Sequence, residues 1–405
     1  MRKFLLVLLI VSLTLVATGC WDQVEIDERG FVIGVAIDLP KSKELKEKAK
    51  REAPDKPHGK HRFVVTQQFV IPGALTQNTA NKTDQAFLNI TSEGGTMFEV
   101  TRELATRTSR SPFFQHLKVL VISEDVARKK YAFGDTLDFF IRDQEMRRST
   151  KVLISKGNAR STIEINPKNE KLPVMYIDSI VRNSKKSARM LKETRVGDVH
   201  EYLLSGESFV IPRIIADTKE VKVAGGAVFN GSDHRMVGFL GEEETEGLNF
   251  IRGNITGGLL KVGVYDNLVI FEIQESKQKI KANVKDINQM EIVISIDAEG
   301  NLVESFERID FLREDVSSKL EKKIAEEIER LANDAIRKSQ KEFKIDFLGL
   351  GKYVYQHHYK LWKTIKNDWD QGRNYFTKCK IRVEAKVKLR QTGGIINKSE
   401  RLRSG

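Results

Sequence analysis

Hydrophobic and polar positions divide this chain into stretches with different periods. Phe4 to Val16 is apolar except for Ser12 and Thr14, and no later run is as long. From Phe31 to Asp38 the chain reads as a buried strand, with Phe63 to Ile71 as its partner. Between them Lys41 to His61 is dense in Lys and Glu and carries Pro54, Pro57 and Gly59. That composition predicts a solvated excursion, with a lipid-headgroup contact as the sharper alternative. Phe87 to Thr91 predicts a strand, Glu93-Gly94-Gly95-Thr96 a turn, and Met97 to about Thr108 a helix. A strand over Leu117 to Ile122 ends at Ser123-Glu124-Asp125, side chains suited to a helix start. A helix around Thr136 to Arg142 and a strand over Lys151 to Ser155 complete an alternation that predicts a helix-covered sheet. Leu172 to Arg182 and Val196 to Leu204 read as helices, and Ser208 to Ile214, with Pro212, as extended.

Polar Asp217-Thr218-Lys219-Glu220 then suggests a boundary near residues 215–222. Strands follow at short intervals: Val221–Phe229, Met236–Leu240, Leu259–Val264, Leu268–Glu272, Ile280–Val284 and Ile292–Ala298. Glu242 to Arg252 interrupts them as a short helix. Over Asp315 to Phe343, Val316, Leu320, Ile324, Ile328, Leu331 and Ala335 recur three or four apart among Glu and Lys, a long helix with one buried face. Asp346 to Gly351 is a glycine-hinged turn, and Trp362, Ile365 and Trp369 share one face of a helix over Tyr359 to Trp369. Cys379, Ile381, Val383, Ala385, Val387 and Leu389 alternate with Lys380, Arg382, Glu384, Lys386 and Lys388 as a half-buried strand. Cys379 falls in the apolar register and reads as a small buried hydrophobe. Arg390 to Gly405 reads as a frayed tail. The expected organisation is residues 1–19 as a leader, 20–215 as an N-terminal α/β region of one or two subdomains, 216–395 as a strand-rich then helical domain, and 396–405 as tail. The fold class is mixed α/β, with helix-covered mixed sheets in more than one domain.

Composition agrees. Of 405 residues 40% are apolar and 31% charged, the balance of a folded body with real cores. The net charge of +12 suits an anionic lipid surface, nucleic acid or an acidic partner. Basic residues are interspersed with acids and not clustered with aromatics, which argues against nucleic acid.

The first apolar run would make a helix of roughly 20 Å, short of a bilayer core of about 30 Å. Arg2 and Lys3 precede it and Ala17-Thr18-Gly19-Cys20 follows it, the order of a secretory leader. Leu15-Val16-Ala17-Thr18-Gly19-Cys20 is similar to a bacterial lipobox, whose cysteine receives diacylglycerol and becomes the first mature residue. Cys20 is thus the expected lipid-attachment residue, which leaves Cys379 without a disulfide partner.

Catalytic signals are thin. Seven histidines are scattered, and the adjacent His357-His358 point about 100° apart on a helix, unlike an i, i+4 metal pair. His-Glu-x-x-His, Cys-x-x-Cys and Gly-x-Ser-x-Gly do not occur. Gly94-Gly95 could cradle an anion on backbone N–H groups, but phosphate-loop spacing is missing there and at Gly349-Leu350-Gly351-Lys352. No enzyme, metal or nucleotide cofactor is expected.

Gly19-Cys20-Trp21-Asp22, Glu25-Ile26 and Gly34-Val35-Ala36-Ile37-Asp38 resemble the start of the Ger(x)C family, lipoprotein C subunits of spore germinant receptors. The resemblance continues through Ser92 to Thr96, Leu117 to Asp125 and Leu137 to Asp143. It closes with Phe347 to Gly351, Leu361-Trp362, Trp369 and the final strand. The chain departs in its long Lys41–His61 excursion. The resemblance implies a family-specific mixed α/β fold of about three domains, held by a diacylglycerol and an N-acyl chain such as palmitate on Cys20 at the outer face of the inner spore membrane. It implies membrane-embedded A- and B-type co-subunits as partners, the B-type permease-like, and no enzymatic role, small-molecule substrate or nucleic acid. A solute-binding lipoprotein of a transporter is the alternative. Such proteins show two similar α/β lobes, whereas here the second half lacks the rhythm of the first.

Overall fold

The computed structural model describes residues 25–40, 61–76, 85–104, 106–264, 267–305 and 313–391, with residues 2 and 4. The leader, Cys20, the excursion up to residue 60 and the tail from residue 392 lie outside the described residues. In chain order the first unit runs β1 (Arg29–Asp38), β2 (Phe63–Val70), α1 (Pro72–Thr76), β3 (Phe87–Gly94), α2 (Met97–Leu104), β4 (Ser111–Phe113) and β5 (Val119–Ser123). It continues with α3 (Glu124–Arg128), α4 (Ala132–Arg142), β6 (Lys151–Ser155), α5 (Arg160–Ile163), α6 (Pro173–Arg182), α7 (Val196–Ser205), β7 (Phe209–Ala216), β8 (Val221–Asn230) and β9 (Arg235–Leu240).

These strands form one sheet of order β3-β2-β1-β5-β6-β7-β8-β9, with β4 beside β1. Its centre, β1-β5-β6-β7, is parallel and antiparallel strands flank it on both sides. Every residue of β5 and β6 is buried, because helices cover both faces. Leu120, Ile122, Val152 and Ile154 face α2, α4 and α7, while Val119, Val121 and Leu153 face α5 and α6. A Cβ at Gly34 would overlap Val174, so glycine there lets α6 lie close on β1. Pro212 sits in an interior strand where proline would break the ladder, and the β7–β8 register shifts between Pro212 and Ile214.

The second unit runs α8 (Glu242–Arg252), β10 (Gly258–Val264), β11 (Asn267–Asn283), β12 (Glu291–Ser305), α9 (Glu314–Arg337), α10 (Leu350–His357), α11 (Tyr359–Ile365), α12 (Tyr375–Lys378) and β13 (Lys380–Gln391). Its sheet is β10-β11-β12-β13, antiparallel until β13 joins β12 in parallel. Leu320, Ile324, Ile328, Leu331 and Ala335 on α9 meet this sheet's apolar face, as their spacing predicts. Val210, Val228 and Leu240 of the first sheet join the same core, so the two units are continuous.

Several expectations shift. The strands after residues 215–222 do not open a new sheet: β8 and β9 extend the first one across the Asp217–Glu220 turn. The strands expected over 268–272 and 280–284 are one strand, β11, with irregular register near Ile270 and Ile273. The helix expected to run to Thr108 stops at Leu104, whose carbonyl receives the Thr108 N–H and hydroxyl. The helix around Thr136 begins earlier, at Ala132. Ser123 stands at the N-cap of α3 but makes no side-chain cap bond. Beyond α9 the chain widens into a π-helical turn over Lys338–Phe343. The tryptophan-bearing helix ends at Ile365 and continues as a 3-10 turn to Asp368.

Candidate functional site

Because β1, β5 and β6 run parallel, their N-terminal ends lie at one end of the sheet. Lys118 immediately precedes β5 and Lys151 opens β6, joined by the Lys151 N–H donating to the Lys118 carbonyl at 2.9 Å. The last turns of α6, the segment 190–195 leading to α7, and the α8–β10 connection at 253–256 reach the same end. Together they enclose a cleft of about 750 Å³. Seven cationic side chains line it, Lys118, Arg147, Lys151, Arg182, Lys185, Lys192 and Arg195, against two acids, Asp178 and Glu193.

The acids are already committed. Lys151 is buried and donates from Nζ to Asp178 Oδ1 at 2.7 Å and to the Asp178 carbonyl at 3.1 Å, with Glu193 Oε2 at 3.4 Å. Arg182 closes on the other Asp178 oxygen, and Arg195 on Glu193. Partial burial works against the Glu193 charge, yet Arg195 and Lys151 hold its carboxyl below the ordinary range. A buried charge in this position needs such partners, since desolvating an unpaired ion costs several kcal/mol. Lys118, Arg147, Lys185 and Lys192 have no acidic partner among the described residues. The arrangement can therefore receive a multiply charged anion. Sequence reading missed this site: its residues come from five separate segments, and the only trace in the sequence is the net positive charge.

A second polar centre is structural. Asp346, 6% exposed, accepts the N–H groups of Leu348, Gly349 and Leu350 on Oδ1 and those of Gly351 and the Trp369 indole on Oδ2. The glycine-hinged turn thus closes over a carboxylate, and Trp369 stacks edgewise on Trp362 with centroids 5.8 Å apart. Asp370 receives the Asp346 N–H at 3.1 Å and the Ser208 hydroxyl at 2.8 Å, tying this turn to the start of β7.

The remaining candidates resolve simply. The Gly95 N–H donates to Glu99 Oε2 at 2.9 Å and the Glu99 N–H to Thr96 Oγ1 at 3.1 Å, so this turn is a helix start capped by its own residues. His357 stacks on Tyr353 with centroids 4.2 Å apart. No set of three or more His, Cys, Asp or Glu among the described residues could hold a metal. Cys379, 4% exposed, donates its thiol to the Tyr375 carbonyl at 3.4 Å, and burial pushes that thiol up to about 12. No helix among the described residues is long and apolar enough to cross a membrane.

Comparison with known proteins agrees with this architecture. Residues 22–216 match the family described as "Spore germination protein N-terminal domain", and residues 224–393 that described as "Spore germination B3/ GerAC like, C-terminal". The two matches meet at the β7–β8 turn, within one sheet. Spore germination protein YndF of Bacillus subtilis (strain 168) is 30% identical, covering 97% of this chain and 98% of its own. Spore germination protein A3 of the same organism is 26% identical, with 94% and 95% covered. The crystal structure of the GerBC protein shares the fold, with a TM-score of 0.58 and 21% identity over 89% of this chain and 99% of that one. The chain belongs to the Ger(x)C family of spore germination proteins.

Proposed function

We propose that this chain is the membrane-anchored lipoprotein subunit of a spore germinant receptor, required for nutrient-triggered germination. The observation that carries the reading is the match to relatives named as spore germination proteins over nearly the whole of both chains. In this reading Cys20 bears diacylglycerol and an N-linked acyl chain, and two or more chains hold a protein stably where one does not. The body then stands on the outer face of the inner spore membrane. It works by assembly with the membrane-embedded A- and B-type subunits, and the tether raises the local concentration so that weak contacts persist. It needs no cofactor beyond the lipid and performs no chemistry.

Mass spectrometry of the mature N-terminus, with membrane fractionation of wild-type and Cys20→Ala spores, tests the anchor. Acylated Cys20, and loss of both membrane association and nutrient germination in Cys20→Ala, are the expected results. An unmodified Cys20 in a protein still bound to membrane would overturn the anchor. Calorimetric titration of amino acids, sugars and nucleosides into the soluble body should show no tight binding. Micromolar binding of one such nutrient would favour a solute receptor instead.

A further inference from the structure

The basic cleft and the start of the fold share one end of the molecule. The Lys118 N–H donates to the Ile33 carbonyl at 2.8 Å, which sets the cleft floor level with the middle of β1. β1 begins four residues earlier, at Arg29, and so extends about 13 Å past that level on the same side. Cys20 lies nine residues before Arg29, a span of at most about 30 Å when fully extended. Ile26, 73% exposed, sits in the short turn just ahead of β1. A chain tethered through Cys20 therefore presents this end of its sheet, with its unpaired cations, towards the bilayer.

We propose that the cleft binds the phosphate headgroup of an anionic phospholipid in the membrane that holds the tether. The proposal rests on the lipoprotein reading and deepens it, because it gives the body an orientation as well as an anchor. Its volume of about 750 Å³ is that of a small-molecule site, larger than a lone phosphate needs. Lys118, Arg147, Lys185 and Lys192 supply charge that no acid among the described residues neutralises, while Lys151 and Arg182 keep Asp178 from repelling an anion. Leu117 and Met190 add apolar wall beside the cations, a match for the glycerol carbons next to a headgroup. No aromatic side chain among the described residues lines the cleft, so there it lacks the stacking platform that single-stranded nucleic acid uses. Two attachments, one covalent and one electrostatic, would fix which face of the body meets its co-subunits.

The test uses the mature chain carrying Cys20→Ala, which has no lipid of its own. Sedimentation with phosphatidylcholine vesicles is compared with sedimentation with vesicles containing phosphatidylglycerol, and inorganic phosphate is titrated separately. Binding to the anionic vesicles alone is expected, weakened at least roughly tenfold in Lys118→Gln/Arg147→Gln/Lys185→Gln, since each cation near such a surface contributes. A control, Lys156→Gln/Lys168→Gln/Lys219→Gln, removes the same charge from exposed lysines outside the cleft and should bind as wild type does. Equal losses in the two variants would overturn the proposal in favour of diffuse attraction. Saturable phosphate binding without vesicle binding would overturn it in favour of a soluble ligand. Acetylation footprinting of the wild type gives a readout independent of variant folding: anionic vesicles should protect Lys118 and Lys185, and unaltered labelling of both would overturn the proposal. Because no acyl chain is present, failure here leaves the anchor to be judged separately at the mature N-terminus.

Discussion

Glu329 accepts the main-chain N–H of Ala385 at 2.9 Å, and two helical turns earlier Glu321 accepts that of Leu389 at 2.9 Å. Eight helical residues advance about 12 Å and four strand residues about 13 Å, so the two elements keep step while running in opposite directions. β13 is the outer strand of its sheet, and unpaired edge groups are a template for association with another chain. The long helix thus serves twice: its apolar stripe covers the sheet, and two glutamates at the border of that stripe occupy the edge.

Removing both glutamates should therefore have two effects. Glu321→Ala/Glu329→Ala is expected to lose about 1.5–3 kcal/mol per bond, the range for hydrogen bonds to charged groups. It should also self-associate at concentrations where the wild type does not. Urea unfolding and size-exclusion chromatography check this, and an equally stable, monomeric variant would contradict the edge-capping role.

Asp346 offers a sharper stability test. Its two carboxylate oxygens answer five N–H donors, so Asp346→Ala strands four backbone groups and the Trp369 indole in the interior. A buried donor left without its acceptor costs about 1–3 kcal/mol, so with five donors affected a loss of at least about 3 kcal/mol is expected. Asp346→Asn should be only partly tolerated, because its amide turns a donor towards donors. Tryptophan fluorescence during denaturation reports both variants, and an unchanged midpoint for Asp346→Ala would refute the account.

What the sequence disclosed, and what it hid, follows from the range of each interaction. β6 was legible to the residue because a strand buried on both faces is a short apolar run. β13 was legible because one face of it is wet. The single span of β11 was hidden because Glu275 to Lys279 is polar and continues the strand only through its antiparallel partner β12. The Asp217–Glu220 turn reads as a boundary because nothing local tells a hairpin within a sheet from a boundary between sheets. Asp346 did leave a signal: an acid just before Leu-Gly-Leu-Gly suits a side chain that binds the turn's own backbone. The cleft left none beyond net charge, since its cations meet only once β5, β6, α6 and the α8–β10 connection are packed.

Glu246 should give the protein a dependence on pH. It is 1% exposed on α8, and its Oε2 receives Arg189 Nε at 3.2 Å. Burial pushes its carboxyl up to about 7, with Arg189 pulling the other way. The folded value lies above that of the unfolded chain, so the stability it contributes is complete below about pH 4.3 and fades as pH rises through 7. Glu246→Gln removes the titration. Its stability relative to wild type should rise between about pH 5 and pH 8, by on the order of 3 kcal/mol at most. Urea unfolding across that range measures the slope, and parallel curves for the two proteins would rule the assignment out.

Cys379 tests the placement of the last strand. It caps α12 immediately before β13, with Sγ turned inward to the Tyr375 carbonyl at 3.4 Å. The thiolate is the reactive form, and burial keeps the thiol protonated well past the pH of ordinary labelling. In the mature Cys20→Ala chain it is the one thiol present, so labelling by a disulfide reagent reports it alone. Labelling should be slow in the folded protein and fast after denaturation. The raised folded value has a second consequence: stability linked to the thiol is complete below about pH 8.5 and declines as pH climbs towards 12. Cys379→Ala should flatten that alkaline decline. Cys379→Ser places a hydroxyl where Tyr375 can still accept, so its cost should stay near the low end of the roughly 1–3 kcal/mol for a buried polar group. Rapid labelling of the native chain would mean that the apolar face of β13 points to solvent, and that α9 packs on the opposite side of the strand.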